Sequence, residues 1–232
     1  MPDHREIYRH QASEYEFLVS REDYQKNLPR ALGRIRPFAG RDVVELGAGT
    51  GRLTCMMAPY AHTILVSDIS PHMLDLANAK LQKTSLHNWT VTVADNRALP
   101  VANRVADISL AGWSLGYYTG WHAESWRKEI GQALAEMKRV LRPGGTVVIL
   151  ETLGTGSEVP APPTDALTTY YAWLEKEHGF SSTWIRTDYR FESLSEAQEA
   201  TRFFFGDEFA ERIDRQNRVI LPECTGIWWL TV

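Results

Sequence analysis

The chain has 232 residues, enough for one substantial α/β domain, or a domain with a small subdomain, around a real core. Its 44% hydrophobic and 23% charged content is ordinary for a soluble globular protein. Twenty-five basic against twenty-nine acidic residues leave a formal charge of −4, which argues against a broad nucleic-acid-binding surface and for a small or protein-like partner.

The start, Met1-Pro2-Asp3-His4-Arg5-Glu6, is charged and has no apolar signal core. No stretch approaches the ~18 consecutive apolar residues of a membrane span, so a cytoplasmic protein is the simplest reading. Residues 5–36 carry apolar and aromatic positions at helical spacing, including Ile7, Tyr8, Tyr15, Leu18, Leu28 and Leu32, and predict one or two helices. Pro37 and Gly40 break the pattern, and Arg41-Asp42 lead into a strand over 42–46. Gly47-Ala48-Gly49-Thr50-Gly51 follows, then a helix over roughly 51–59 that Pro59 stops, because proline has no N–H and disfavours helical geometry at Ala58. A strand, a glycine loop and a helix start are where an open α/β sheet takes a nucleotide-like ligand. Cys55 and Cys224 form no paired motif and read as reduced, and Cys55, Met56 and Met57 read as core.

A dinucleotide fingerprint would need its third glycine where this chain has Arg52, which weakens that reading. Glu45-x-Gly47-x-Gly49-x-Gly51 instead resembles motif I of the class I S-adenosylmethionine-dependent methyltransferases, and the resemblance extends from Arg41 to Glu151. It implies an α/β fold: a doubly wound, mostly parallel seven-stranded sheet with helices on both faces and an antiparallel last strand. Residues 1–40 would form a helical cap and 41–232 the Rossmann-like domain. S-adenosyl-L-methionine would be the cofactor, held at Glu45, Gly47, Ala48, Gly49 and Gly51. In this family an N-terminal helical segment with tyrosines often folds over the cofactor, so Tyr8 and Tyr15 become candidate contacts to its methionine end; the alternative is aromatic packing on the domain.

Thr63–Asp68 reads as a second strand ending on an acid twenty-one residues beyond Gly47, a spacing suited to a carboxylate that accepts from both ribose hydroxyls. Ser70-Pro71 opens the next helix with a hydroxyl cap and proline in first position. The run Asp68–Leu74 resembles the family's second motif, in which Ile69 and Met73 flank the adenosine. Trp89–Asp95 is a third strand, and Asp95-Asn96-Arg97 resembles the segment whose Asp accepts from the adenine amino group, with Asn96 beside it. Asp107–Trp113 is the fourth strand and its exit. After it come Trp113, Tyr117, Tyr118, Trp121, His122 and Trp126, a ring density beyond what a connection needs. Aromatic faces can hold a flat substrate or stabilise a cation. Trp113 is thus a candidate for both cofactor and substrate contact, and Tyr117, Trp121, Trp126 and Tyr171 are candidates for the substrate wall.

A long amphipathic helix over about 125–141 ends at Leu141-Arg142-Pro143-Gly144-Gly145, a turn assigned no chemistry, and strand five follows over 146–151. Residues 154–163 hold two Gly and three Pro and predict a loop that could move over the site. A helix over 164–177, an alternating strand over 184–191, a capping box at Ser193–Glu196 opening a helix to Gly206, a helix over 207–217 and a last strand over 226–232 complete the pattern. Residues 152–180 and 192–218 are predicted as lid or substrate-side insertions, with Phe203, Phe204 and Phe205 open to core packing or a homodimer contact.

The resemblance implies methyl transfer from a sulfonium to an O, N or C nucleophile by in-line displacement, and the ring-rich exit of strand four with the separate lid points to a small, aromatic or amine-bearing metabolite. His122 and His178 are the natural base candidates, and Tyr117 or Tyr118 could orient the acceptor. No His, Asp or Glu cluster has metal-ligand spacing, so metal-independent transfer is preferred. Ala111-Gly112-Trp113-Ser114 stands where base-methylating enzymes have an Asn-Pro-Pro-Tyr-like segment, which speaks against a nucleic-acid acceptor. Two other readings remain: a cofactor-binding protein of this fold without methyl transfer, regulatory or pericyclic, and a protein methyltransferase.

Overall fold

The computed structural model describes residues 3–216 and 218–232, with the side chains of 214 and 216 left aside. The outermost residues of the predicted cap, 1 and 2, and the end of the predicted helix over 207–217 lie outside the described residues. Three helices come first, where one or two were predicted: α1 (His4–His10), α2 (Ala12–Ser20) and α3 (Asn27–Ile35). Asp3 caps α1 by accepting from the Arg5 amide, and Asp23 accepts from the amides of Asn27 and Leu28 to start α3.

Then β1 (Asp42–Leu46), α4 (Arg52–Met57), β2 (Thr63–Asp68), α5 (Pro71–Gln82), β3 (Trp89–Val93) and β4 (Ala106–Gly112) follow nearly as predicted. Ser70 caps α5 by accepting from the Met73 amide. A short α6 (Tyr118–Trp121) and the long α7 (Trp126–Arg139) lead to β5 (Leu141–Thr155), α8 (Asp165–Lys176), β6 (Ser181–Arg186) and β7 (Tyr189–Arg190). The chain finishes with α9 (Leu194–Phe205), α10 (Asp207–Gln216), β8 (Ile220–Leu221) and β9 (Glu223–Thr231).

Seven strands form one sheet in the order β3-β2-β1-β4-β5-β9-β6. β1 to β5 pair in parallel, and β9 is antiparallel to both β5 and β6. The parallel strands are apolar on both faces, as strands covered on both sides must be. One layer buries Ile130, Leu134 and Met137 of α7 with Tyr170, Trp173 and Leu174 of α8. The other buries Leu28 and Leu32 of α3, Leu53 and Met57 of α4, and Leu74 and Leu81 of α5. A satellite cluster joins Leu18 of α2 to Tyr189, Phe191, Ala197, Ile213 and Leu221.

Three stretches depart from the prediction. Strand five is fifteen residues long because Leu141 already pairs with Ala106 and Thr155 still faces Glu223, with register shifts absorbing the Pro-Gly-Gly turn and the step after Thr152. The irregular loop is therefore shorter than the predicted 154–163 segment at its front end. The single strand over 184–191 is two strands in different sheets. Asp188, nearly buried, accepts from the Glu223 amide and from the Arg186 guanidinium, which turns the chain out of the main sheet so that Tyr189 and Phe191 enter the satellite cluster. The predicted lid over 152–180 is mostly core: β5 and α8 put Tyr170, Tyr171, Trp173 and Leu174 against the sheet.

Candidate functional site

Sheet order reverses direction between β1 and β4, and the crevice outside the carboxyl ends of these strands is where open α/β sheets take ligands. A cavity of about 660 Å³ opens there, within the range of small-molecule sites. The loop after β1, the end of β2, the exit of β4 and the end of β5 form its floor, and α1, α2 and the end of α9 roof it.

The floor is shaped by backbone. Gly47 has φ +61, and an added Cβ would lie 2.5 Å from the Ser114 Cβ, so only glycine lets this loop pass under the β4 exit. Ala48 donates its amide to the Ser67 carbonyl, which ties the loop to β2. Asp68 accepts from the Gly49 amide at 2.8 Å through one oxygen and from the Ser70 amide at 2.8 Å through the other. Burial nevertheless raises its pKa, against the pull of those amides. Each oxygen keeps a second acceptor position, so the carboxylate is oriented and still able to receive a diol. Glu45 is buried beneath, accepts from the Thr54 hydroxyl at 2.6 Å, and burial pushes its carboxyl up to about 8.

The roof is aromatic. The Tyr8 hydroxyl donates to that of Tyr117, and the Tyr8 ring meets Tyr15 edge-on at 5.4 Å. Tyr117 stacks on Trp121 at 4.9 Å, and Tyr15 meets Phe204 at 5.7 Å. Burial pushes the Tyr117 hydroxyl up to about 12, which keeps it protonated near neutrality and makes it a donor rather than a base. Tyr118, also pushed up to about 12 by burial, stacks on His122 at 5.6 Å. Trp113, at the β4 exit, has φ +47, a conformation rare for a bulky residue and one that recurs where a side chain is aimed at a site.

The cavity brings together most of the predicted residues: Tyr8, Tyr15, Glu45, Gly47, Ala48, Gly49, Asp68, Ile69, Met73, Asn96, Trp113, Tyr117, Tyr118, Trp121 and His122 all line it. Five predicted residues stand elsewhere. Gly51 caps α4, and a Cβ added there would lie 2.9 Å from the Ala77 Cβ, so it lets α4 and α5 approach and is not among the residues that line the cavity. Asp95 is turned onto Arg97, accepting from its amide and its guanidinium, and these bonds lower its pKa; Asn96 and Arg97 reach the wall in its place. Trp126 packs edge-on to Tyr170 and Trp173 in the core. Tyr171 stacks on Trp228 at 4.4 Å and donates to the Thr152 carbonyl. His178 sits edge-on to Trp173 at 4.1 Å, behind the sheet layer that α8 covers, and burial lowers its pKa.

Sequence reasoning missed one wall altogether. Glu22 lies just past the end of α2, Arg52 begins α4, and Glu223 begins β9, yet all three line the cavity with Thr152, Thr155 and Tyr189. Arg52 was visible as the residue that spoils a dinucleotide fingerprint. Glu223 had no local signal, because only the antiparallel pairing of β9 with β5 carries it to the carboxyl edge.

A family model described as a methyltransferase domain matches residues 44–149. The malonyl-[acyl-carrier protein] O-methyltransferase of Serratia marcescens is 29% identical over 128 residues, 55% of this chain and 44% of that protein. The demethylmenaquinone methyltransferase of Tropheryma whipplei is 31% identical over 113 residues, 49% of this chain and 42% of that protein. The chain thus spans about half the length, or less, of the curated relatives it matches. A solved SAM-dependent methyltransferase from Aquifex aeolicus shares the fold with a TM-score of 0.61 at 14% identity, over 94% of this chain and 98% of that one. Residues 44–149, which hold the strands that build the floor, are thus similar to a methyltransferase domain, and nearly the whole chain shares the fold of a solved SAM-dependent methyltransferase.

Proposed function

We propose that this protein transfers a methyl group from S-adenosylmethionine to a small aromatic or amine-bearing metabolite, by in-line displacement and without a metal. The observation that carries this reading is one continuous cavity, with a glycine loop and the oriented Asp68 carboxylate at its floor and a ring-lined roof of Tyr8, Tyr15, Tyr117 and Trp121. When bound, the cofactor supplies an electrophilic methyl group on a sulfonium.

The chain's own residues then have distinct tasks. Asp68 accepts from the ribose diol, Ile69 and Met73 flank the adenosine, and the loop at Gly47–Gly49 brings backbone against the amino-acid end. Asn96 and Arg97, which reach the wall, take over the base-side role that Asp95 is turned away from. Tyr8 and Tyr117, half-buried and hydrogen-bonded to each other, close the roof and limit the entry of water. His122 is the remaining base candidate in the cavity, for acceptors that carry a proton.

The test is calorimetry with S-adenosylhomocysteine, followed by a metabolite screen with labelled cofactor. Tight binding and label on a small product support the proposal. Binding with no transfer to any acceptor would favour the reading of a cofactor-binding protein without methyl transfer.

A further inference from the structure

The wall formed by Glu22, Arg52 and Glu223 holds three buried polar atoms with no hydrogen-bond partner: Glu22 Oε1, Arg52 Nη2 and Glu223 Oε2. All three side chains line the cavity, as do Trp113 and Tyr189. Orphaned buried polar atoms are rare in native proteins, and each one costs stability unless a ligand satisfies it. Three of them facing one space mark a subsite.

The rest of the wall is already engaged. Arg52 Nη1 donates to Glu22 Oε2 at 2.5 Å, and the guanidinium lies over the Trp113 ring at 4.8 Å. Glu223 Oε1 accepts from the Thr152 hydroxyl at 2.7 Å. Glu22 and Arg52 pair with each other, and among the described residues Glu223, 2% exposed, has no cation within ion-pair distance. Burial raises its pKa and the charge of Glu22 raises it further, against the pull of the Thr155 and Thr152 hydroxyls and of Arg52, which favours a protonated group. A ligand that brings a positive charge to Oε2 replaces that proton, whereas a carboxylate entering the same space meets Arg52 Nη2 only beside two carboxyl groups. The Trp113 ring already holds the Arg52 guanidinium over it, and Tyr189 adds a second ring to the wall.

We propose that Glu22 and Glu223, with Trp113, form the acceptor subsite and recognise a protonated or protonatable amine on the methyl acceptor. Arg52 is a positioning residue that fixes Glu22. The proposal rests on the methyltransferase reading and narrows its acceptor to an amine-bearing compound.

The test titrates three probes of one shape, phenethylamine, phenethyl alcohol and phenylacetate, into the full chain saturated with S-adenosylhomocysteine, following tryptophan fluorescence. The amine should bind roughly tenfold more tightly than the other two, a preference of the size a charged hydrogen bond supplies. Glu223→Gln, which keeps the bond from Thr152, should erase most of that preference, and so should Glu22→Gln, while S-adenosylhomocysteine affinity and circular dichroism stay as in the wild type. Equal binding of the three probes, tighter binding of phenylacetate, no binding of any probe, or an unchanged preference in both variants would overturn the proposal. Failure of S-adenosylhomocysteine to bind would overturn the cofactor reading instead, and it is seen separately because the probes are also titrated without it.

Discussion

The Tyr8 hydroxyl donates to the Tyr117 hydroxyl across a separation of 109 residues, and this bond ties α1 to the loop after β4 directly over the candidate site. Both side chains are half-buried, so the bond is partly shielded from water. Tyr8→Phe keeps the ring packing against Tyr15 and removes only the donor. It should weaken S-adenosylhomocysteine binding about three- to tenfold, the equivalent of one neutral hydrogen bond. Calorimetry that finds identical affinities in variant and wild type would remove the roof from the binding model.

The floor offers a sharper steric test. Gly47→Ala places a methyl group 2.5 Å from the Ser114 Cβ in a loop already at φ +61. The loop must shift, and cofactor affinity should fall roughly a hundredfold or more, since strain and clash together cost about 3 kcal/mol. Asp68→Ala should cost at least about tenfold in the same assay through loss of a charged acceptor. A Gly47→Ala protein that binds like the wild type would mean that the ligand does not lie against this turn.

Aromatic residues that look alike in the sequence should separate by experiment. Trp126 is buried among Tyr170 and Trp173, whereas Trp121 is 37% exposed and lines the cavity. Trp126→Ala should lower stability by about 3–5 kcal/mol, as removal of a large core side chain does. Trp121→Ala should leave the melting temperature nearly unchanged and reduce acceptor turnover. Parallel thermal melts and activity assays check both, and a melting temperature that falls equally in the two would contradict the assignment.

This pair also shows what the sequence could and could not say. Strand, loop and helix were legible from Val43 to Met57 because β-branched runs, glycine spacing and Pro59 act locally. Asp68 was legible because the end of a parallel strand beside a glycine loop has a predictable place. Trp121 ends α6 and Trp126 begins α7, and only the packing of Trp126 on Tyr170 and Trp173 of α8 sends it into the core, which no local pattern encodes. Asp95 was read as the end of the third strand but falls two residues past β3, and Arg97 two residues later claims its carboxylate. Glu22, Arg52 and Glu223 meet only through topology, across two hundred residues of chain.

A dependence on pH follows from buried acids. Burial pushes Glu151 up to about 8, and its carboxylate accepts from the Gly116 amide at 2.8 Å. Between its ordinary unfolded pKa and that raised value, the folded chain holds a proton that the unfolded chain has released. Stability is then fully expressed at the acid end of this window and falls as pH rises, by about 1.4 kcal/mol per pH unit for each such group. Glu45 shifts in the same direction. Glu151→Gln keeps an acceptor for Gly116 but cannot ionise, so the loss of stability between about pH 5 and about pH 8 should shrink by up to that slope. Urea titrations across this range measure it, and an unaltered slope would mean that Glu151 is ionised in the folded protein.

The placement of β9 between β5 and β6 also constrains how the protein is made. During synthesis β6 emerges with no neighbour to pair with, and β5 keeps a bare edge until residues 223–231 have left the ribosome. Glu223, the first residue of that late strand, completes the wall opposite Glu22, which was made two hundred residues earlier. The strands that frame the glycine floor are all made by residue 155, whereas the wall at Glu22 and Glu223 waits for the last strand of the chain. Floor and wall are thus completed at different stages of synthesis.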